Sequence, residues 1–257
     1  MLLGAIIGDI VGSRWEFRRI KTKAFSLFAE DCACTDDSIL TCAVADALLN
    51  DRHPAEALRD WARRIPIPQG VGGYGQKFMR WVAAPTPQPP YGSLGNGGAM
   101  RVSPAAWLSN NLDEALEQAT RVTVVTHDHT EGLKAALATT AAIRLALDGR
   151  SPGAIRRHIA QAYGYDMDRG VDDIRPNYVR SEQAPNSVPE AILCALEATS
   201  FEDALRNAVS LGGDADTQAA IAGPIAEVLY GIPEEIHRQA LRYIPQEMQV
   251  ILDQLYR

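Results

Sequence analysis

Apolar residues recur at intervals of three and four along nearly the whole chain, as in Ile39-Leu40-Ala43-Val44-Ala47-Leu48 and Ala135-Ala136-Ala138-Ala142-Ile143-Leu145-Ala146. That period gathers them on one face of an α-helix, whereas a half-buried strand would alternate at every second residue. Besides a helix starting at Asp36, the spacing predicts helices over 54–64, 112–124, 130–148, 152–163, 188–198, 201–211, 217–230 and 234–256. Several open on Pro or an acid and some close on Gly. Alternating β-branched runs are nearly absent, and no short Val/Ile strands set up a βαβ rhythm. The expected fold class is all-α, a compact many-helix bundle. With 257 residues, 46% hydrophobic, the chain can bury a sizeable core, and one domain over 1–257 is the simplest organisation.

Two stretches interrupt the helical rhythm. The first, Ala84-Pro85-Thr86-Pro87-Gln88-Pro89-Pro90-Tyr91-Gly92, reads as a semi-rigid connector, because Pro fixes φ and removes a donor. The second, Tyr165 to Pro189, is long enough to serve as a lid. Neither reads as a linker between domains, and no repeat of solenoid period is present.

Composition narrows the partners. The net charge of −7 comes from dispersed acids, and without a basic block tight nonspecific nucleic-acid binding is not expected. Cys32, Cys34, Cys42 and Cys194 make no evenly spaced disulfide framework, so reduced thiols are expected. The N-terminal Met-Leu-Leu-Gly-Ala-Ile-Ile-Gly-Asp lacks a basic leader and is far too short to span a bilayer, which leads to the expectation of a cytoplasmic protein with no membrane partner. A monomer is the default, since no heptad seam is evident.

Two acidic clusters about 180 residues apart carry the chemistry: Thr35-Asp36-Asp37-Ser38, and Gly212-Gly213-Asp214-Ala215-Asp216-Thr217. Each runs into an apolar helical stretch. Helix capping by Thr35, with acids in the first turn, accounts for the first cluster as well as a metal does. The second is harder to explain as a cap alone, because its paired glycines let the backbone turn sharply and aim both carboxylates inward. Facing each other, the four carboxylates and two hydroxyls form an all-oxygen donor set suited to Mg²⁺ or Mn²⁺ rather than zinc or copper. Two such ions would relieve the mutual repulsion of the acids and could activate a water for hydrolysis. The spacing is not that of an EF-hand.

Other motifs admit two readings each. Gly4, Gly8, Gly12 and Glu16 fall four apart, a bare helical face that suits tight helix packing, with Glu16 at its end able to reach a ligand. Ser93-Leu94-Gly95-Asn96-Gly97-Gly98 could close its amides on a phosphate or be a plain tight turn, and it matches neither a Walker A nor a dinucleotide pattern. His127 and His129 point apart on a helix, which disfavours zinc and leaves His127 as a hydrogen-bonding group for substrate. Cys32-Ala33-Cys34 has no second thiol pair to make a zinc or redox site. Tyr74, Phe78 and Trp81 lie at helical spacing, with a core stripe favoured over a base-stacking box.

Taken in order, these motifs resemble the ADP-ribosylglycohydrolase family across the whole chain: Gly4 to Gly12 with Glu16, Thr35-Asp36-Asp37-Ser38, Gly95-Asn96-Gly97-Gly98-Ala99-Met100-Arg101, Thr126-His127, and Gly213-Asp214-Ala215-Asp216-Thr217. The resemblance implies an all-α fold with two Mg²⁺ or Mn²⁺ ions in a cleft. It implies removal of ADP-ribose from a modified acceptor, the glycosidic bond being cut with a metal-activated water. Thr35, Asp36, Asp37, Asp214, Asp216 and Thr217 would then be metal ligands, and Glu16, Asp36 and Asp37 the candidates for handling the proton. Ser93, Gly95, Asn96, Gly97, His127 and Gly213 would hold the substrate, and Asp9 would brace the site. Ser38, Leu94 and Gln218 depart from the commoner family pattern. A noncatalytic ADP-ribose-binding relative, and a dinuclear hydrolase of another nucleotide-sugar or phosphoester, are the competing readings.

Overall fold

The computed structural model describes residues 2–255. Among them run fifteen α-helices: α1 (Leu3–Ser13), α2 (Asp36–Leu49), α3 (Pro54–Arg64), α4 (Gln76–Ala83), α5 (Gly97–Met100), α6 (Ser103–Trp107), α7 (Leu112–Thr123), α8 (Thr130–Leu147), α9 (Pro152–Tyr163), α10 (Val171–Ile174), α11 (Val188–Leu196), α12 (Phe201–Ser210), α13 (Ala215–Tyr230), α14 (Glu234–Ala240) and α15 (Gln246–Leu255). No strand occurs among the described residues, and the all-α expectation holds.

Two helices form the axis of the bundle. Every residue of α1 is buried, and so is α13 from Ala215 to Ala226. A helix apolar on all sides belongs in the middle of a protein, where neighbours cover its whole circumference. Small residues set the distance between the two. A Cβ on Gly8 would lie 2.0 Å from the Ala219 carbonyl oxygen, one on Gly4 2.5 Å from that of Gly223, and one on Gly12 2.4 Å from that of Ala215. The glycine stripe thus meets a second stripe, Ala215-Ala219-Gly223, running antiparallel to it. Of its two readings, close helix packing is the one realised, and the backbone contact compensates for the low helix propensity of Gly. α11 and α12 pack on α13, α2 on α3, and α7 on α8.

Local chemistry explains most helix ends. Asn111 accepts a hydrogen bond from Glu114 N at 2.9 Å, and Ser200 accepts one from Asp203 N at 3.1 Å, each filling an orphan donor of the first turn. Gly164 ends α9 in the left-handed conformation (φ 68°), which a glycine adopts without strain.

Several helices end one or two residues earlier than expected, and three segments differ in ways that matter. The predicted helix 234–256 is two helices separated at 241–245, because Pro245 lacks the N–H that a continuous helix needs, and position 256 lies outside the described residues. α13 begins two residues early, so Asp216 sits inside its first turn. The segment 165–189 is no free flap: it contains α10 and a short 3-10 turn, Ala184–Asn186, and buries Tyr165, Met167, Val171, Ile174 and Ala184. It is stitched to the glycine loop by Asn96 N to Glu182 O at 2.8 Å and Ala184 N to Leu94 O at 3.0 Å. The four cysteines are buried free thiols. Among the described residues, no helix is long and apolar enough to cross a membrane.

Candidate metal centre and active site

The site grows from the axis of the bundle. Asp9 projects from α1 to the N-terminus of α2, where it accepts hydrogen bonds from Thr35 N at 2.8 Å, Ser38 N at 3.1 Å and Thr35 Oγ1 at 2.7 Å, and another from Ser38 Oγ. A carboxylate in that position satisfies donors that the helix leaves unpaired and is favoured by the dipole. The first acidic cluster is therefore capped twice, by its own Thr35 and by Asp9 from another helix. Asp9 acts here as the brace expected of it.

The chain then closes the second cluster over the first. Gly212 turns the backbone with φ 64°, a value that favours glycine, and delivers Asp214 and Asp216 to the face occupied by Asp9 and Asp37. Carboxylate oxygens of Asp9, Asp37 and Asp216 lie within 4.8 Å of one another, as do those of Glu16, Asp214 and Asp216. Asp216 belongs to both groups, so the arrangement is two adjoining three-carboxylate positions sharing one side chain. Asp36 and Thr217 stand on the wall of the same cleft. The Thr35 hydroxyl lies 3.3 Å from Asp37 Oδ2 and is engaged by Asp9.

Crowding shapes the electrostatics. Burial, and then the charges of Asp9, Glu16 and Asp214, push the Asp36 carboxyl up to about 8. Burial and Asp214 push Glu16 up to about 7 against the opposing pull of Arg180. Asp37 and Asp216 are raised well above the usual carboxylate range, by burial first and by neighbouring carboxylates second. Two buried oxygens, Glu16 Oε2 and Asp37 Oδ1, have no hydrogen-bond partner. Buried acceptors without donors are costly, and divalent cations would pair them and neutralise the cluster. The all-oxygen donor set and these orphaned oxygens fit Mg²⁺ or Mn²⁺.

The cleft beside the carboxylates has a volume of about 600 Å³, within the range that takes a nucleotide-sized ligand. Ser93, Gly95, Asn96, Gly97 and His127 line it. The loop glycines have a packing reason: a Cβ on Gly97 would lie 3.3 Å from His127 Nε2, and one on Gly98 3.3 Å from His127 Cγ. Burial and the nearby Arg101 hold the His127 ring well below its ordinary range, hence neutral, and its Nδ1 is 2.8 Å from Thr126 Oγ1. Its other nitrogen is left facing the loop. Asn96 does more than line the wall, because its side-chain amide donates to Asp214 Oδ2 at 2.7 Å. Gly213 is absent from the wall: a side chain there would strike Tyr178 and Gln218. Its small size lets these two residues pack, with Gln218 Nε2 donating to Tyr178 Oη at 3.0 Å. His129 leaves the site to cap α8, accepting from Glu131 N at 3.1 Å.

Arg180, on the cleft wall, and Gly72, behind Glu16, carried no signal in the sequence. Arg180 reaches in from the 165–189 segment and donates to Glu16 Oε1 at 2.7 Å and Asp214 Oδ1 at 2.9 Å. Arg101 is fully buried beside the cleft, bonded to Thr126 Oγ1 at 2.6 Å and lowered to about 10 by burial. Gly72 backs Glu16 so closely that any Cβ there would overlap its carboxylate. Tyr74 and Phe78 stack at 5.3 Å and form both core and cleft wall, so the two readings of that stripe overlap.

Comparison with known proteins fits this geometry. The family model for ADP-ribosylglycohydrolase matches residues 1–257. The chain is 25% identical to ADP-ribosylhydrolase ARH3 of Danio rerio, over 90% of this chain and 82% of that protein. It is also 25% identical to the ADP-ribosyl-[dinitrogen reductase] glycohydrolase of Rhodospirillum rubrum, over 90% and 85%. The ADP-ribosylarginine hydrolase Tri1 of Pseudomonas putida (strain GB-1) is 25% identical over 93% and 73%. A solved structure described as an ADP-ribosylglycohydrolase-related protein complex superposes with a TM-score of 0.74 at 25% identity, covering 99% of this chain and 95% of that one. The chain belongs to the ADP-ribosylglycohydrolase family, hydrolases that act on glycosyl bonds.

Proposed function

We propose that this protein releases ADP-ribose from a modified acceptor, using a centre of two Mg²⁺ or Mn²⁺ ions held by Thr35, Asp36, Asp37, Asp214, Asp216 and Thr217, with Glu16 beside them. The observation that carries the reading is the pair of three-carboxylate groups sharing Asp216 at the foot of a cleft of about 600 Å³. Ions bound there would polarise a water and the ribose hydroxyls. The rest is the work of the chain.

Ser93, Gly95 and Gly97 present a side-chain-poor wall that a diphosphate can approach, and the buried cation of Arg101 favours an anion at that end of the cleft. Neutral His127 orients a ribose or phosphate oxygen by hydrogen bonding and does not act as an acid. Tyr74 and Phe78 offer an aromatic face to a base or ribose. Without ions, burial and neighbouring carboxylates push Glu16 up to about 7 and Asp36 up to about 8; Asp36, among the ligands, would be lowered by bound cations, so Glu16, beside them, is the carboxyl placed to move a proton. Asp9 and Asn96 fix the ligand carboxylates rather than touch the substrate.

Relatives at the same identity are named for different substrates, one for ADP-ribosylated dinitrogen reductase and one for ADP-ribosylarginine. The test is therefore a panel of ADP-ribosylated arginine, serine and nucleic-acid substrates, each with Mg²⁺, with Mn²⁺ and with chelator. Metal-dependent appearance of free ADP-ribose is the expected result. Binding of ADP-ribose without turnover on any substrate would replace the reading with a noncatalytic one, and turnover of phosphoesters alone would move the protein to another hydrolase class.

A further inference from the structure

Arg180 is the one basic side chain that pairs with carboxylates of the centre among the described residues, and it pairs with one half only. Its Nη2 bridges Glu16 Oε1 at 2.7 Å and Asp214 Oδ1 at 2.9 Å, which belong to two of the three members of the Glu16, Asp214 and Asp216 group. Its Nη1 holds Glu182 at 2.6 Å, outside the centre. The guanidinium carbon lies 5.5 Å over the Phe17 ring, an exposed aromatic at the cleft mouth. The arginine is thus anchored on three sides with its charge placed where carboxylate oxygens converge. In the other group, Asp9 and Asp37 face hydroxyls and amides of Thr35 and Ser38.

The guanidinium already occupies Glu16 Oε1 and Asp214 Oδ1, and its positive charge opposes a divalent cation placed a few ångströms away on the same carboxylates. Each neutralises buried carboxylates, and whichever binds displaces the other by its differential interaction with them. We infer that Arg180 is a built-in competitor for one of two metal positions, so that the centre loads its ions unequally. The position at Asp37 and Asp216, where Asp9 is already engaged by Thr35 and Ser38 and no basic side chain intrudes, fills first. The Glu16, Asp214 and Asp216 position fills only as Arg180 withdraws, and the affinity for the second ion is set by the strength of the arginine clamp. The segment that carries Arg180 is stitched to the glycine loop through Asn96 N and Glu182 O, so its withdrawal also passes to the substrate wall.

This inference rests on the metal-centre reading above, and the experiment separates the two. Mn²⁺ is titrated by calorimetry into the full chain, with electron paramagnetic resonance reporting coupled ion pairs, for the wild type, Arg180→Gln and Arg180→Lys. The wild type should show one tight and one weaker site. Arg180→Gln should tighten the second site by about 5- to 150-fold while leaving the first unchanged, which also certifies its fold. Arg180→Lys should fall between them, because an ammonium pairs with a carboxylate but does not reproduce the planar fork of the guanidinium, and it carries the test if the Gln variant fails to fold. A second constant that is unchanged in the variants, or that weakens, overturns the role of Arg180 while leaving the metal centre intact. No Mn²⁺ binding to the wild type would overturn both.

Discussion

The two halves of the acidic centre are held by different means. Asp36 and Asp37 open α2, and their turn is fixed by Asp9, a side chain from the central helix α1 that receives four hydrogen bonds. Asp214 precedes α13 and is held by Asn96 from the glycine loop and by Arg180 from the 165–189 segment. One half is anchored in the helical core, and the other is steadied by loops that also line the substrate cleft. The difference teaches where adjustment can occur. A bond between packed helices resists displacement, while loops can exchange partners when an ion or an anion arrives.

The carboxylate common to both halves gives the largest expected effect. Asp216→Asn should lower turnover by more than the about 10- to 100-fold typical of a supporting residue, and should weaken both sites in a Mn²⁺ titration. Loss of only one site would show that the halves do not share it. Asp9→Ala should cost about 3 kcal/mol or more in urea unfolding, because it strands several buried donors at about 1–3 kcal/mol each. Its effect on stability should exceed that of Asn96→Ala, and equal losses would erase the contrast between core and loop bracing. Asn96→Ala should instead lower activity or metal affinity by about 10- to 100-fold, with a small change in the unfolding midpoint.

The smallest effect is that of pH on the metal-free protein. Glu16 and Asp36 have folded values raised to about 7 and about 8, above their ordinary values of 4.5 and 3.8. The stability they contribute is full below about pH 4 and is lost as pH rises through 7 and 8. Asp46 and Asp203 are lowered and act only below about pH 4, while buried His127, held well below 6.5, opposes the trend between pH 5 and 6.5 and is outnumbered by the raised Asp9, Asp37 and Asp216 that act with it. The melting temperature of chelator-treated protein should fall by about 3 °C or more between pH 5 and pH 8. Mn²⁺ should restore more of it at pH 8 than at pH 5, since ions and protons compete for the same oxygens. A flat profile would mean the carboxylates do not repel as their crowding implies.

Much of this was legible in the sequence because it obeys a local period. The helices of 112–124, 130–148 and 152–163 declare themselves through apolar spacing and caps, and both acidic clusters declare themselves by position before a helix. The split of 234–256 was readable at Pro245, where the apolar pattern ran on through a residue that cannot continue a helix. The partner stripe Ala215-Ala219-Gly223 has the same four-residue spacing as the glycines it meets. What could not be read is pairing over long separations. Nothing local marks Arg180 as the partner of Glu16, 164 positions away, or Asn96 as the partner of Asp214, 118 positions away. Gly213 shows the same limit from the other side: a glycine beside two clustered carboxylates suggests close approach by substrate, and only the neighbours show that Tyr178 and Gln218 take that space.

The backbone contact between α1 and α13 also governs when the centre can exist. Asp9 comes with the first helix, while Asp216 is delivered more than 200 residues later by the helix that packs against it. As the chain is synthesised from its N-terminus, the first acidic turn can form early, yet its counterpart is still missing until α13 has emerged and docked. Such distant closure is slow, because the entropy of a long loop must be overcome before the contact is gained. Metal uptake at this centre would therefore report the docking of α13 against α1, and a metal titration during refolding would follow that step.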